Sequence, residues 1–142
     1  MKEVWIWVQA AFVALGGGLG WLLGGLDGFV YALVAVVVLD YLTGIMCAIV
    51  ERKLSSEIGF RGIFKKVAIF VMIAVAHIVC THVLGYDSAA IRTAVIFFYI
   101  ANEGLSVLEN ASRLGLPVPE KLKDVLSQLR NRNTKNDKED AE

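Results

Sequence analysis

Three stretches of 20 or more residues almost without charge run through this chain, and they constrain its fold more than any other feature. Residues 4–26 and 67–86 contain no Lys, Arg, Asp or Glu, and residues 28–50 contain only Asp40. A helix of about 20 apolar residues spans the hydrocarbon core of a bilayer. Hydrophobic residues make up 56% of the chain, more than a soluble core of this size buries. The stretches predict membrane-spanning helices.

A fourth span is predicted at residues 93–110, where an apolar run is interrupted by Asn102 and Glu103. The basic residues decide between three spans and four. With four, 13 of the 14 Lys and Arg residues share one side of the membrane with both termini, and only Arg92 lies opposite. Because basic loops favour the cytoplasm, four spans with both termini cytoplasmic are predicted. Three spans, the alternative, would place the basic C-terminus outside.

The chain divides into a membrane domain, residues 1–113, and a polar C-terminal part. In the latter, four apolar residues recur at helical spacing: Leu122, Val125, Leu126 and Leu129. This pattern predicts a short cytoplasmic amphipathic helix within residues 114–130. Residues 131–142 are polar and lack periodicity, which predicts a disordered charged tail. The predicted fold class is an all-α integral membrane protein with four transmembrane helices and a C-terminal amphipathic helix.

Glycines spaced by four predict a face for close helix packing in the first span. The series is Gly16, Gly20, Gly24 and Gly28. Glycines without a Cβ atom in register let another helix backbone approach closely. In the second span Gly44 lies on the same narrow face as Asp40 and has the same predicted role. The partner helix is either the second span of the same chain or a neighbouring subunit.

Two spans carry polar residues that a bilayer disfavours. A carboxylate such as Asp40 at the centre of a span costs roughly 2.5–3.5 kcal/mol on insertion scales. Asp40 is predicted either to mark a helix interface or aqueous lining, or to be a protonated carboxyl that only hydrogen-bonds to a neighbouring helix. The fourth span has a polar face suited to a subunit interface or water-filled pore, formed by Asn102, Glu103, Ser106 and Glu109. Glu109 can pair with Arg113 at i, i+4.

The loop between the second and third spans is strongly basic. Ser55 and the residues after it predict a helix start, followed by an interfacial segment that precedes the third span. Five residues of this region are predicted to contact anionic lipid headgroups: Arg52, Lys53, Arg61, Lys65 and Lys66. No aromatic stacking platform accompanies them, so nucleic acid is not an expected partner.

No catalytic, cofactor or metal motif is predicted. Cys47 and Cys80 each lie inside an apolar run without zinc-ligand spacing. His77 and His82 point in different directions on a regular α-helix, which leaves too few ligands for a metal ion. Nucleotide-binding loops and nucleophile elbows are absent from the sequence. The expectation is a protein that is not an enzyme and uses no cofactor.

Four segments together resemble the phage-lysis and toxin-secretion holins of Gram-positive bacteria and their phages. They are LDYLTG at residues 39–44, SSEIGFRG at 55–62, NEGLSVLEN at 102–110 and LGLPVP at 114–119. The resemblance extends over residues 29–129.

This resemblance implies a function and a set of partners. Holins accumulate in the bacterial cytoplasmic membrane and oligomerise into lesions, through which an endolysin, or a large toxin, leaves the cell. The partners implied are other copies of the chain and the lipid bilayer, with the endolysin or toxin as cargo that is not specifically bound. Two other functions fit the residues alone. One is a small four-helix proton-coupled transporter, and the other is a non-conducting membrane adaptor.

Overall fold

The protein, described here from a computed structural model, is helical. The structure describes residues 1–85, 87 and 89–139, with side chains described as far as residue 131. The α-helices are α1 (Lys2–Leu22), α2 (Gly28–Val50), α3 (Ser56–Ile78), α4 (Ala89–Arg113) and α5 (Glu120–Glu139). A π-helical turn, Val79–Val83, continues α3. The helices α1, α2, α3 with its π turn, and α4 are each long and apolar enough to cross a membrane. The predicted fold class is therefore confirmed.

The first span is shorter than predicted, because α1 ends at Leu22 and not at residue 26. Gly24 and Gly25 follow it with φ angles of 74° and 114°. Glycine in this left-handed geometry ends helices, and the Gly25 N–H donates to the Gly20 carbonyl at 2.7 Å. The second span begins where predicted. Its start is capped by Asp27, whose carboxylate accepts a hydrogen bond from the Val30 N–H at 3.0 Å.

The helix start predicted at Ser55 is confirmed. The prediction that a separate interfacial segment follows it, before the third span, is wrong. The Ser55 hydroxyl accepts a hydrogen bond from the Ile58 N–H at 3.2 Å, and α3 then continues without a turn into the third span. Packing against α2 favours this continuity. A Cβ atom on Gly62 would lie 3.2 Å from the Tyr41 ring, so the glycine lets the two helices come close.

Three helices, α2, α3 and α4, surround the apolar core. Its most deeply buried side chains, Leu33 of α2, Ile73 of α3 and Ile96 of α4, have no exposed surface. Because lipid chains are as apolar as these side chains, close packing holds the helices together more than the hydrophobic effect does. Gly44 lies at the contact of α2 with α4, where a Cβ atom would be 3.7 Å from the Asn110 amide nitrogen.

The glycine series of the first span does not form one helix face. Gly24 lies in the turn after α1 and Gly28 is the first residue of α2, so only Gly16 and Gly20 are within α1. The prediction of four glycines in register is wrong, because the helix ends inside the series. Packing against the second span is also not found at Gly16, since a Cβ atom there would meet nothing within 4 Å.

The helix α1 is the most loosely attached of the four candidate spans. All its residues are described, none is buried, and it makes only slight contact with α3. Gly20 contacts Leu26 of the following turn. One face of α1, with Gly16 and Gly17, is therefore open within the single chain.

The C-terminal helix begins within the predicted range, at Glu120, but ends later than predicted. A turn with Gly115 at a φ angle of 86° follows α4, and α5 then extends through Glu139, beyond the limit at residue 130 that amphipathic spacing indicated. The segment after 130 contains neither glycine nor proline, and its lysine and glutamate residues tolerate a helix well. The predicted disordered tail is thus helical to Glu139, and residues 140–142 lie outside the described part of the chain.

Candidate functional site

Three charged side chains from three helices meet inside the bundle and form what we call the triad: Asp40, Lys66 and Glu103. The Lys66 ammonium donates hydrogen bonds to Oδ2 of Asp40 and to Oε2 of Glu103. The side chains are 10%, 12% and 6% exposed, respectively. Ionisable groups inside membrane proteins are normally paired in this way, because an unpaired charge in lipid is costly. The triad therefore links α2, α3 and α4 through one ammonium group.

Asn110 extends the triad towards the end of α4. Its side-chain amide donates to Oδ1 of Asp40 at 3.2 Å and to the Thr43 hydroxyl at 3.0 Å. The Cys47 thiol donates to the Asn110 carbonyl at 3.3 Å. These contacts satisfy the second oxygen of Asp40, so this carboxylate has partners on both sides.

A cleft of about 210 Å³ opens beside the triad. Its polar lining comes from Asp40, Lys65, Lys66, Ser106 and Asn110, and its remaining wall is largely apolar. The triad has two carboxylates and one ammonium, so full ionisation would leave one negative charge uncompensated. The structure thus holds charge inside the bundle but next to a space large enough for water.

A second buried charge fastens the turn between α1 and α2. The Arg92 guanidinium donates to the Leu23 carbonyl, to the Gly25 carbonyl at 2.7 Å and to Oδ2 of Asp27 at 2.7 Å. We call this group the arginine clamp: Arg92, Asp27 and the carbonyls of Leu23 and Gly25. Arg92 is 5% exposed. The clamp ties the α1–α2 turn to the start of α4, so the loosely packed α1 is held at one end.

The arginine clamp makes stability depend on pH. The hydrogen bond from Arg92 lowers the pKa of Asp27 below its ordinary value of 3.8, despite an opposing effect of burial. A lowered folded-state pKa stabilises the protein above the unfolded value, and this contribution is lost as pH falls. We expect the melting temperature in detergent to drop between pH 5 and pH 3, and to drop less in Asp27→Asn, which keeps the capping oxygen. Equal pH profiles would contradict this role for Asp27.

The two histidines lie closer together than a regular α-helix would place them. Their ring centroids are 6.4 Å apart, and the His82 ring is also 5.9 Å from that of Trp21. The π-helical turn causes this, because its wider turns bring residues five apart onto one side of the helix. The expectation that they point in different directions is therefore wrong. Among the described residues, no cluster of three potential metal ligands is found.

The predicted polar face of α4 is divided between two environments. Glu103 is buried in the triad, whereas Asn102 and Ser106 are partly buried and Glu109 is exposed. All four line a cavity of about 450 Å³ that α3 and α5 help to enclose. The Glu109–Arg113 pair is not formed. Arg113 instead donates to Oε1 of Glu51 at 3.0 Å and 2.6 Å, which ties α4 to the end of α2.

One of the basic residues predicted to contact lipid headgroups is in a different position. Lys66 faces the interior, because it follows the same helical spacing as the buried Ile69 and Ile73. The other four, Arg52, Lys53, Arg61 and Lys65, are exposed. Lys53 and Arg61 approach Glu51 and Glu57 at 3.5 Å and 3.8 Å, and such exposed pairs contribute little stability.

The roles of two residues at the centre of these clusters were not predicted from the sequence. Lys66 is the ion-pair partner in the triad, and Arg92 is the donor in the arginine clamp. Both carried a signal. Lys66 shares helical spacing with Ile69 and Ile73, and Arg92 shares it with Ile96 and Glu103. A charged residue in phase with an apolar face predicts a buried pair, and each has its acidic partner on another segment of the chain.

The fold and these clusters define a class, a multi-pass helical membrane protein whose interior charges are paired with one another. The chain belongs to the bacteriophage holin family, whose model matches residues 17–131. This family is not a family of enzymes, and the resemblance in the sequence is confirmed.

Several bacterial proteins are similar to this chain over most of its length. The uncharacterized 14.9 kDa protein in nagH 3'region of Clostridium perfringens is 39% identical over 93% of this chain and 99% of its own. The uncharacterized protein Lmo0128 of Listeria monocytogenes is 43% identical over 84% of each chain. The uncharacterized protein BH0965 of Halalkalibacterium halodurans is 46% identical over 69% of this chain and 75% of its own. No solved structure is significantly similar.

Proposed function

We propose that this protein oligomerises in the bacterial cytoplasmic membrane and forms lesions that release an endolysin, or a large toxin, without binding it specifically. Membership of the bacteriophage holin family carries this proposal. The structure adds a physical route, because the buried charged side chains of the single chain are hydrogen-bonded to one another in the triad and the arginine clamp. A chain with its charges paired in this way is compatible with lipid while it is dispersed.

The triad supplies the polar surface that a lesion needs. Asp40, Lys66 and Glu103 belong to three different helices, so separating those helices would expose charged side chains from each of them. Water would replace the lost ion pairs at the wall of an opening. Clustering of many copies favours such a state by mass action, since self-association depends on protein concentration.

Solute release from vesicles tests the proposal. Purified protein is reconstituted at increasing density into vesicles that contain a small dye and a large dextran. Release of both solutes above a threshold density is expected. Release of the dye alone, or proton-coupled uptake of a small solute, would favour a transporter instead. Retention of both solutes at every density would favour a non-conducting adaptor.

The open face of α1 is the surface we assign to contact between copies. Gly16→Leu adds a side chain where nothing lies within 4 Å in the single chain, so the monomer should tolerate it. We expect crosslinked oligomers and solute release to decrease, because the new side chain keeps a second helix away. Ala14→Leu is the matched control, since Ala14 is exposed and lies on the side of α1 opposite to Gly16. Equal oligomer yields from the two variants would exclude this face.

Gly24 is unsuitable for the same experiment. A Cβ atom on it would lie 2.6 Å from Nδ1 of His77, and its φ angle is 74°. Any substitution there would disturb the turn, whether or not α1 contacts another copy.

The orientation we propose places both termini and the α2–α3 loop in the cytoplasm, because the basic residues of that loop favour this side. In a variant without Cys47 and Cys80, a membrane-impermeant thiol reagent should label Asp87→Cys from outside intact cells. It should not label Ser55→Cys or Gln128→Cys. Labelling of Gln128→Cys in sealed cells would overturn the four-span topology.

A further inference from the structure

The helix α5 folds back along α4 and covers part of its polar side. Leu126 of α5 packs on Gly104 of α4, where a Cβ atom would lie 3.1 Å from one Leu126 methyl group and 3.3 Å from the other. Farther along α5, Arg130 lines the same cavity as Tyr99 and Asn102 of α4. Since Arg130 follows Leu126 while Tyr99 and Asn102 precede Gly104, the two helices are antiparallel.

The contact at Gly104 is close enough to depend on glycine. The two methyl groups of Leu126 occupy the space that a larger side chain at position 104 would need. Leu126 and Leu129 are partly buried, whereas Leu122 and Val125 are exposed. The docked face of α5 is therefore specific, and Val125 lies outside it.

The docked position of α5 conflicts with a full membrane crossing by α4. Gly104 lies nine residues before Arg113, the last residue of α4, which corresponds to about 13 Å along the helix. If Arg113 lay at the membrane surface, docked α5 would carry exposed charged groups well into the hydrocarbon region. The deepest of these groups are Asp124 and Arg130, whereas Lys121 and Lys123 would lie nearer the surface. Charges exposed to lipid at that depth are strongly disfavoured.

The opposite placement leaves α4 too short. If the docked part of α5 stays in water, the membrane surface lies near Asn102. The remaining segment of α4, residues 89–102, is about 21 Å long, whereas the hydrocarbon core is about 30 Å thick. Docking of α5 and complete insertion of α4 therefore exclude each other.

We propose that α5 is a releasable cover on α4, and that its release permits α4 to insert fully and to contact other copies. The cover holds the cytoplasmic end of α4, with Ser106 and Glu109, at the water-facing side of the bundle while the protein is dispersed, together with the end of α2 that Asn110 and Arg113 bind. This inference rests on the proposed function for its consequence, the control of lesion formation. The change of α4 from partial to full insertion does not itself depend on lesion formation.

A reversible tether tests the cover. Gly104→Cys and Leu126→Cys are combined in a protein that also carries Cys47→Ala and Cys80→Ala. The purified protein is reconstituted into phosphatidylglycerol and phosphatidylethanolamine vesicles that contain a dextran. Oxidation should lower the rate of dextran release by at least about tenfold, and a thiol reductant should restore it. The matched control combines Gly104→Cys with Val125→Cys, which point apart and should be insensitive to reductant.

Equal dextran release before and after reduction of the disulfide between Gly104→Cys and Leu126→Cys would contradict the proposal that α5 is a releasable cover. Absence of release from the parent protein without engineered cysteines would instead reject the proposed function. In that case the second measurement still decides on the cover, because it needs no lesion.

The second measurement reports the depth of α4 at low protein density, below the threshold for release. A water-soluble thiol reagent should label Glu109→Cys when α5 is docked, because Glu109 is exposed there. Leu126→Ala weakens docking and should slow this labelling several-fold as α4 inserts, whereas Val125→Ala should not. Equal labelling rates in the Leu126→Ala and Val125→Ala proteins would overturn the cover whatever the vesicles release.

Discussion

Replacement of Lys66 by methionine should destabilise the helix bundle by about 3–5 kcal/mol, the typical cost of removing one partner from a buried ion pair. Lys66 is the shared donor to Asp40 and Glu103, so its loss leaves two buried carboxylates facing each other. Unfolding in a denaturing detergent, followed by circular dichroism, measures the stability. In vesicles we expect earlier solute release, because the three helices lose the group that links them.

A matched control for this experiment is the adjacent lysine. Lys65 is exposed, so Lys65→Met removes the same charge from the chain with an expected change of less than about 0.5 kcal/mol. A compensated variant tests the mechanism. Adding Asp40→Asn and Glu103→Gln to Lys66→Met removes the unpaired charges and should recover most of the lost stability. If Lys66→Met and Lys65→Met were equally stable, Lys66 would not be paired inside the bundle.

Replacement of Arg92 by leucine should cost about 2–4 kcal/mol, because two carbonyl groups and a carboxylate lose their shared donor. The planar guanidinium reaches Leu23, Gly25 and Asp27 together, whereas a lysine ammonium cannot match that geometry. We therefore expect the order of stability wild type, Arg92→Lys, Arg92→Leu. Cleavage of the α1–α2 turn by a protease in detergent should become faster in the same order.

The control for the arginine clamp is Asp27→Asn. This substitution removes the negative charge from one of the three acceptor groups but keeps an oxygen that can accept a hydrogen bond. Its effect should be smaller than that of Arg92→Leu, because Asp27 is partly exposed and water can replace the ion pair. Full stability of Arg92→Lys would show that only the positive charge is needed and that the forked geometry of arginine is not.

The number, type and approximate limits of the spans were readable from the sequence. Length and apolar composition are local properties of a segment, and the thickness of the bilayer converts them directly into a helix. For the second span, the predicted limits, residues 28 and 50, are the same as the limits of α2. The end of α1 was missed because glycine has two roles. Gly24 was read as part of a packing face, whereas its φ angle of 74° makes it part of a turn.

The polar residues of the spans could be identified as unusual, but their partners could not. Asp40 and Glu103 were predicted separately, and the sequence left open whether they hydrogen-bond, pair or line water. Only the packing of α2, α3 and α4 brings both carboxylates to Lys66. Pairing depends on how each helix is rotated and how far it is shifted along its neighbour, and these quantities arise from contacts between segments distant in sequence.

The same distinction holds at the C-terminus. The spacing of Leu122, Val125, Leu126 and Leu129 was sufficient to predict a helix, since amphipathic periodicity is contained within one segment. Which of these residues would be partly covered, and by which surface, was not contained there. The close contact between Leu126 and Gly104 exists because the turn at Gly115 reverses the chain and brings α5 against α4. The sequence thus determined what can enter a membrane, and the tertiary structure decided which charges and faces meet inside it.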